Sequence, residues 1–265
     1  MLKKLSQYLA TEGVDFAGQL ASNTAYYAWL RYGKGQQRGT KKIHDFMMEL
    51  SLTDPGIART LWLVGDRERD QQHLLQQIVS PDQTVLDLGA NVGYYILLEA
   101  NLLQQSGKII AVEPHPENIQ QLERNVALNR LDNVTVIHGA VAAADGTAEL
   151  HVSQLSNVHS LLPDPSYSAG TTLTVPAVSL ATLQKKHGPI DVIRMDIEGY
   201  EQELLESLLT LNRNGTPCTP RLLFELHGKR YDQARFRTIV EQLYQFGYRA
   251  THLSSSDTVA LQETD

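Results

Sequence analysis

The sequence predicts an α/β fold, with a mostly parallel sheet and helices on both of its faces. Three observations carry this. Two short apolar runs of strand length, Thr84–Leu88 and Lys108–Val112, each lead into a segment with helical spacing of its apolar residues. Glycines sit at the first strand-to-helix junction, where a buried strand must turn sharply into a helix. The strand–helix alternation then resumes at Asn133–His138, Ile190–Met195 and Arg221–His227.

The 265 residues, 42% of them hydrophobic and 20% charged, have the composition of an ordinary globular protein large enough to bury a core. A net charge of −7 disfavours a broad electrostatic grip on a nucleic acid. The single cysteine, Cys218, lies in a turn-like Gly/Pro/Thr stretch and rules out an intrachain disulfide. Met1–Gln7 contains two lysines but lacks the apolar core of a signal peptide, and no stretch approaches the roughly 18 apolar residues of a membrane span. These features point to the cytoplasm.

Taken in order, residues 1 to about 60 read as helical. Leu2, Leu5 and Leu9 make an apolar stripe, and a second helix covers Val14–Arg31. Tyr26, Tyr27, Trp29 and Leu30 either pack this segment down or form a stacking surface for a sugar or planar acceptor. Arg31–Lys42 reads as a basic, glycine-rich loop: a solvated linker, or a hold on an acidic acceptor. A third helix is expected over His44–Leu52, and Asp54-Pro55-Gly56 breaks it. Arg67–Val79 is a helix, Thr84–Leu88 the first strand and Tyr94–Leu103 its helix. Lys108–Glu113 is the second strand, and Pro116 opens a helix through Leu128. Asn133–His138 is the third strand.

Ala148–Val152 and Thr171–Val178 alternate like an antiparallel pair and form a β-hairpin insertion. The loop between them carries His159, read as a loop residue, and runs through Pro163–Gly170 as a lid over the acceptor. Ile190–Met195 and Arg221–His227 are the fourth and fifth strands, with helices over Glu201–Leu211 and Tyr231–Phe246. Tyr248–Leu253 and Thr258–Leu261 bring the sheet to seven strands.

The spacing around the first turn, Asp87-Leu88-Gly89-Ala90-Asn91-Val92-Gly93, carries chemistry. Gly-x-x-x-Gly is neither the dinucleotide Gly-x-Gly-x-x-Gly nor a Walker A loop, whose Lys-Ser/Thr pair is missing. A carboxylate at Asp87 would repel a pyrophosphate but suits a ligand with ammonium and sulfonium charges. S-adenosylmethionine has both and no phosphate. Glu113 ends the next strand twenty positions past Gly93, beside the first turn, where an acid can accept both ribose hydroxyls. Taken singly, the turn is an ordinary one capped by Asn91 and Glu113 an exposed acid. Taken together, they make an adenosine site. Backbone beyond the third strand commonly borders the adenine, which adds Ala140 and Val141. The candidate cofactor set is Asp87, Gly89, Asn91, Gly93, Glu113, Pro114, Ala140 and Val141.

These motifs, with Val112-Glu113-Pro114-His115-Pro116-Glu117-Asn118, Asn125, Asn129 and Met195-Asp196-Ile197-Glu198-Gly199-Tyr200-Glu201, resemble the FkbM family of S-adenosylmethionine-dependent methyltransferases. The resemblance covers about Leu61–Tyr248. It implies the Rossmann-like class I methyltransferase fold and methylation of a hydroxyl on a secondary metabolite, sugar or glycan. Its motif positions fall on Asp87, Gly89, Asn91, Gly93, Glu113, Asp196, Glu198 and Glu201. The domain organisation expected is a helical appendage over residues 1–56 and a methyltransferase domain over 57–265.

A hydroxyl is a poor nucleophile until its proton leaves, so the site needs a base as well as positioning. The candidate catalytic set is His227, Asp196, Glu198 and Glu225. His227 is the first choice, with Glu225 orienting it, because its ordinary pKa lies near working pH. Asp196 or Glu198 is the alternative, since crowded carboxylates ionise late. The same four groups suit a divalent cation, which is possible but not favoured because no ligand motif of fixed spacing is present. Glu201 is read as a helix cap, and Glu225 as a partner for Arg221 or Arg194 in the absence of a catalytic role. Two other classes stay open: a dinucleotide-binding oxidoreductase, and a scaffold that keeps the fold but no longer catalyses. Methylation of RNA or protein is disfavoured by charge.

Overall fold

The computed structural model describes residues 16–104, 106–163, 168–213, 220–227, 230–253 and 258–263. The leucine stripe at Leu2, Leu5 and Leu9, Cys218 and the centre of the Pro163–Gly170 loop lie outside these residues. The chain divides into two compact units, Met1–Arg67 and Glu68–Asp265.

In the first unit a helix over 16–28 (α1) ends in a π-helical turn, Trp29–Gly33. The expected helix over His44–Leu52 is not there. Arg38–Ile43 (β1) and Phe46–Ser51 (β2) pair antiparallel around His44-Asp45, with His44 at φ 51° as a two-residue hairpin turn requires. Met48, Leu50 and Leu52 are fully buried at a spacing of two, so strand periodicity prevails over the helix propensity of Met, Glu and Leu. The basic stretch is therefore partly strand. Lys41 donates to the carbonyl of Trp62, and burial lowers its pKa to about 8. Gly39 lets that strand lie against the indole, since a Cβ there would sit 2.9 Å from a Trp62 ring carbon. Trp62 belongs to Ile57–Val64 (α2) and is fully buried. Of the aromatic cluster, Leu30 is buried, Tyr27 donates its hydroxyl to the Leu52 carbonyl, and Tyr26 and Trp29 stack with about half their surface exposed.

The second unit begins with Arg69–Ile78 (α3), followed by Thr84–Leu88 (β3), Tyr94–Leu103 (α4), Lys108–Glu113 (β4), Pro116–Leu128 (α5) and Val134–His138 (β5). Ala140–Ala142 (β6), Gly146–Ser153 (β7) and Ser168–Ser179 (β8) form a separate three-stranded sheet, in which β7 and β8 are the expected antiparallel pair. Leu180–His187 (α6) follows, a helix absent from the sequence reading. Its signals are local: Ser179 caps it by accepting from Thr182 N, three basic residues fill its last turn, and Gly188 stops it at φ 88°. Val192–Met195 (β9), Glu201–Arg213 (α7), Arg221–Glu225 (β10), Gln233–Gln245 (α8), Tyr248–Leu253 (β11) and Thr258–Glu263 (β12) complete the chain.

The main sheet has seven strands in the order β11-β12-β10-β9-β3-β4-β5, parallel except for β12 against both its neighbours. Chain order reverses between β3 and β9. That is the switch point at whose carboxyl edge open α/β sheets bind ligands. β3, β4 and β9 are buried on both faces, as their unbroken apolar runs require. One core cluster joins Leu86, Ile110, Ile193 and Leu222 of four adjacent strands to Leu204 and Leu208 of α7 and Ile239 of α8.

At the switch point the backbone itself leaves no room. Gly89 has φ 85°, and a Cβ on it would lie 2.1 Å from the carbonyl oxygen of Asp196. Gly89→Ala should therefore cost at least about 2 kcal/mol, measurable as a lowered urea midpoint.

Candidate active site

Two groups of side chains meet at this edge. The first surrounds the turn between β3 and α4. Glu113 closes β4 and is almost wholly buried. Its Oε2 accepts from Asn91 N (2.9 Å), and its Oε1 accepts from His115 N (2.9 Å) and Asn118 Nδ2 (3.2 Å). Burial raises its pKa to about 7, against the pull of these three donors. Asn91 is held at φ 51°, and its side chain accepts from Val92 N and donates to Ser156 O. Gly93, at φ 91°, opens α4 without a side-chain cap. Leu88, Gly89, Val112, Pro114, Ala140 and Val141 are among the residues bordering a cavity of about 30 Å³. Six of the eight candidate cofactor residues (Gly89, Asn91, Glu113, Pro114, Ala140 and Val141) thus either line this crevice or hold one another beside it.

Asp87 differs from expectation in orientation. It is fully buried, and its carboxylate is taken by Arg194, whose Nη1 lies 3.1 Å away. The two are register neighbours across β3 and β9. Arg194 also reaches Asp196 (3.2 Å) and stacks over the Tyr95 ring at 3.6 Å. Burial opposes the charge on Arg194, but Asp87 and Asp196 outweigh it and raise its pKa. Beside them Glu99 is fully buried. Burial first, then the Asp87 charge, pushes its carboxyl well above the usual range, which favours its neutral form beside Asp87. No spacing rule in the sequence picks out Glu99 or Arg194.

The second group lies past β9 and β10. Strand β9 stops at Met195 and Glu198 has φ 55°, so Asp196 and Glu198 do not share a face of an extended strand as expected. A turn brings them together instead. Burial, then the Asp196 charge, raises Glu198 to about 8. His227 lies between two acids: Nε2 is 3.4 Å from Glu198 and Nδ1 is 3.1 Å from Glu201. Burial alone would lower its pKa, but Glu201, Glu198 and Asp196 push it up to about 9. With its pKa there, His227 keeps its proton at neutral pH. One ligand atom from each of Asp196, Glu225 and His227 comes within 4.8 Å of the others.

Glu201 does more than cap a helix. It is fully buried, and Oε1 accepts from Ile197 N (3.1 Å) and Gly199 N (3.3 Å) as well as facing His227, while Oε2 accepts from Tyr231 OH (2.9 Å). Tyr231, which sequence reasoning missed, also accepts from His227 N (3.2 Å). Gly199 lets Arg230 pass close over this turn, where a Cβ would meet its Cδ at 2.5 Å. His159 is a loop residue, as expected. Its Nδ1 accepts from Ser153 N, and its ring stacks on His115.

A parallel sheet of this order, with a glycine turn and a strand-end acid at its switch point, defines an S-adenosylmethionine-dependent methyltransferase of the Rossmann-like class. The chain belongs to the FkbM family: the profile of the Methyltransferase FkbM domain matches residues 87–250. Among curated proteins, it is 36% identical over 93 residues to the ribosomal protein L11 methyltransferase of Chloroflexus aurantiacus, covering 35% of this chain and 27% of that one. It is 26% identical over 194 residues to the 23S rRNA (uracil(1939)-C(5))-methyltransferase RlmD of Shewanella sediminis, covering 61% and 42%. The chain thus spans less than half the length of these curated relatives. Among solved structures it is similar to the methyltransferase FkbM of Methylobacillus flagellatus (14% identity, TM-score 0.44, 76% of this chain and 52% of that one). It is also similar to the M. jannaschii TYW2 solved with AdoMet (11%, 0.46, 85% and 84%).

The donor set fits S-adenosylmethionine. A buried strand-end carboxylate suits a ribose and an apolar crevice suits an adenine, while the room in front of Gly89 is taken by the Asp196 carbonyl.

The raised pKa of His227 has a sign. The folded protein keeps this proton up to about pH 9, while the unfolded chain releases it near 6.5. Its contribution to stability is complete below pH 6.5 and is lost as pH rises towards 9. Urea unfolding from pH 6 to 9.5 should show that decline, and His227→Gln should flatten it.

Proposed function

We propose that this chain transfers the methyl group of S-adenosylmethionine to a hydroxyl oxygen of a small molecule, sugar or glycan. The observation that carries the reading is the acid-and-imidazolium cluster one turn from the cofactor crevice, Glu198–His227–Glu201 with Asp196 and Glu225 alongside. When bound, the cofactor supplies an electrophilic methyl on a positively charged sulfur.

The chain's residues supply the rest. Glu113 accepts from the ribose, Gly89, Asn91 and Gly93 form the turn beneath the ligand, and Pro114, Ala140 and Val141 border the adenine. Asp87 acts through Arg194, fixing β3 against β9 so that the turn and the acids keep their spacing. At the reaction edge the base is the Glu198–His227 pair rather than His227 alone. Between about pH 8 and 9 Glu198 is ionised while His227 keeps its proton, so a proton leaving the acceptor is taken by the carboxylate and the imidazolium offsets the clustered negative charge. Glu225 and Asp196 orient the acceptor hydroxyl.

Calorimetry with S-adenosylhomocysteine tests the cofactor half. Glu113→Ala and Asp87→Ala should each weaken binding by tenfold or more, about 1.4 kcal/mol; unchanged affinity in both overturns the assignment. The acceptor half is tested by transfer of labelled methyl from S-adenosylmethionine to a panel of monosaccharides, oligosaccharides and RNA, with and without a chelator. Label on a sugar hydroxyl, lost in His227→Ala and Glu198→Gln while cofactor affinity stays near normal, is the expected result. Label on an RNA base, or activity abolished by the chelator, would replace this reading.

A further inference from the structure

The cofactor crevice is too small as it stands. About 30 Å³ holds one or two waters, against the roughly 300 Å³ or more of a pocket that buries a small ligand. Most of its wall cannot yield. Leu88 ends β3 and Gly89 N just beyond it bonds to Val112 O of β4, Pro114 follows the last residue of β4, Gly139 N bonds to Glu113 O, and Ala140 and Val141 pair in β6. Ile197 and Tyr200 sit on the turn that Glu201 clamps. Leu150 is held in β7 by its pairing with β8, and what remains is Leu161, in the segment 155–162 that leaves β7. This is the wall that has to move.

A few polar ties fasten that segment, and they run to both halves of the site. Ser156 O accepts from Asn91 Nδ2 (2.9 Å) and from Asn118 Nδ2 (2.9 Å). Ser160 Oγ donates to Glu198 O (2.7 Å), and Ser160 exchanges backbone hydrogen bonds with His151. His159 stacks on His115, the ring centroids 4.1 Å apart. Asn118 also donates to Glu113, which already receives Asn91 N and His115 N. A carboxylate has about four acceptor positions, so two ribose hydroxyls and three protein donors do not all fit. The longest of the three, Asn118 at 3.2 Å, is the one to give way. Arrival of the ribose thus perturbs the residue that fastens Ser156, while Ser160, four positions on, is bonded to the backbone of Glu198.

We propose that Asn118 and Ser160 are positioning residues for methyl transfer: they fasten residues 155–162 as a strap that lifts to admit the cofactor and that passes cofactor occupancy on to the Glu198 turn. The second clause rests on reading that turn as the reaction edge; the first does not.

The probe is S-adenosylhomocysteine, followed by surface plasmon resonance and by amide hydrogen exchange on the full chain. In the wild type, ligand should change exchange both at 155–162 and at 196–200. Ser160→Ala removes one tie without touching any residue assigned to the cofactor. It should speed association about three- to tenfold and abolish the ligand-dependent change at 196–200, with the thermal midpoint little altered. Ser160→Thr keeps the hydroxyl and should restore both. Association rates equal in the wild type and Ser160→Ala, or no ligand-dependent change at 155–162 in the wild type, overturns the strap. A ligand response at 196–200 that survives in Ser160→Ala overturns the coupling. Intact strap kinetics with no methyl transfer to any hydroxyl would instead remove the proposed reaction and leave the strap standing.

Discussion

The buried ion chain Asp87–Arg194–Asp196 is the constraint on which the rest depends. Arg194 lies on β9 directly beside Asp87 on β3, and its other nitrogen reaches Asp196 where β9 ends. Asp87 and Arg194 sit at the switch point of the sheet almost without solvent, and Asp196 is partly exposed at its edge. Charges taken out of water are costly, and burying a pair brings little net stability. Leaving any one of them without its partner is far worse. The network therefore acts less as glue than as a specification of register. Glu99, neutral beside Asp87, and the Tyr95 ring under the guanidinium complete the surroundings that make a lone cation tolerable there.

The two halves of the site follow from that register. Gly89 and the Asp196 carbonyl are pressed together because the strands leading to them are pinned two residues earlier. The cofactor turn and the acid turn then stay at a fixed separation, which in-line methyl transfer demands of donor and acceptor. Glu201 performs the same service on the other side. Its two oxygens collect the acid turn, His227 and Tyr231, so one buried carboxylate sets the geometry of α7's entry and of the residues after β10.

What could be read from the sequence was what is local. Thr84–Leu88, Tyr94–Leu103 and Pro116–Leu128 have the expected bounds because hydrophobic runs, glycines and a Pro at a helix start are written in adjacent residues. The hairpin of Arg38–Ser51 was hidden by helix-forming residues, and only packing against Trp62, about twenty positions away, settles its state. The shift of His227 from free base to imidazolium depends on Glu201, 26 residues back, and Tyr231 meets Glu201 across 30. Such pairings leave no trace in local spacing. Asp87 was found for its position, yet its partner Arg194, 107 residues on, is what determines where it faces.

The contact between Gly89 and the Asp196 carbonyl also bears on protein engineering. Glycine-turn segments are tempting parts to exchange between enzymes of this class when cofactor affinity is to be altered. Here the graft would carry its own curvature into a space with no slack, set by a peptide group from a distant part of the chain. A chimera would have to bring both loops from the same donor, and recombination breakpoints between residues 89 and 196 should be enriched among the non-folding members of any shuffled library.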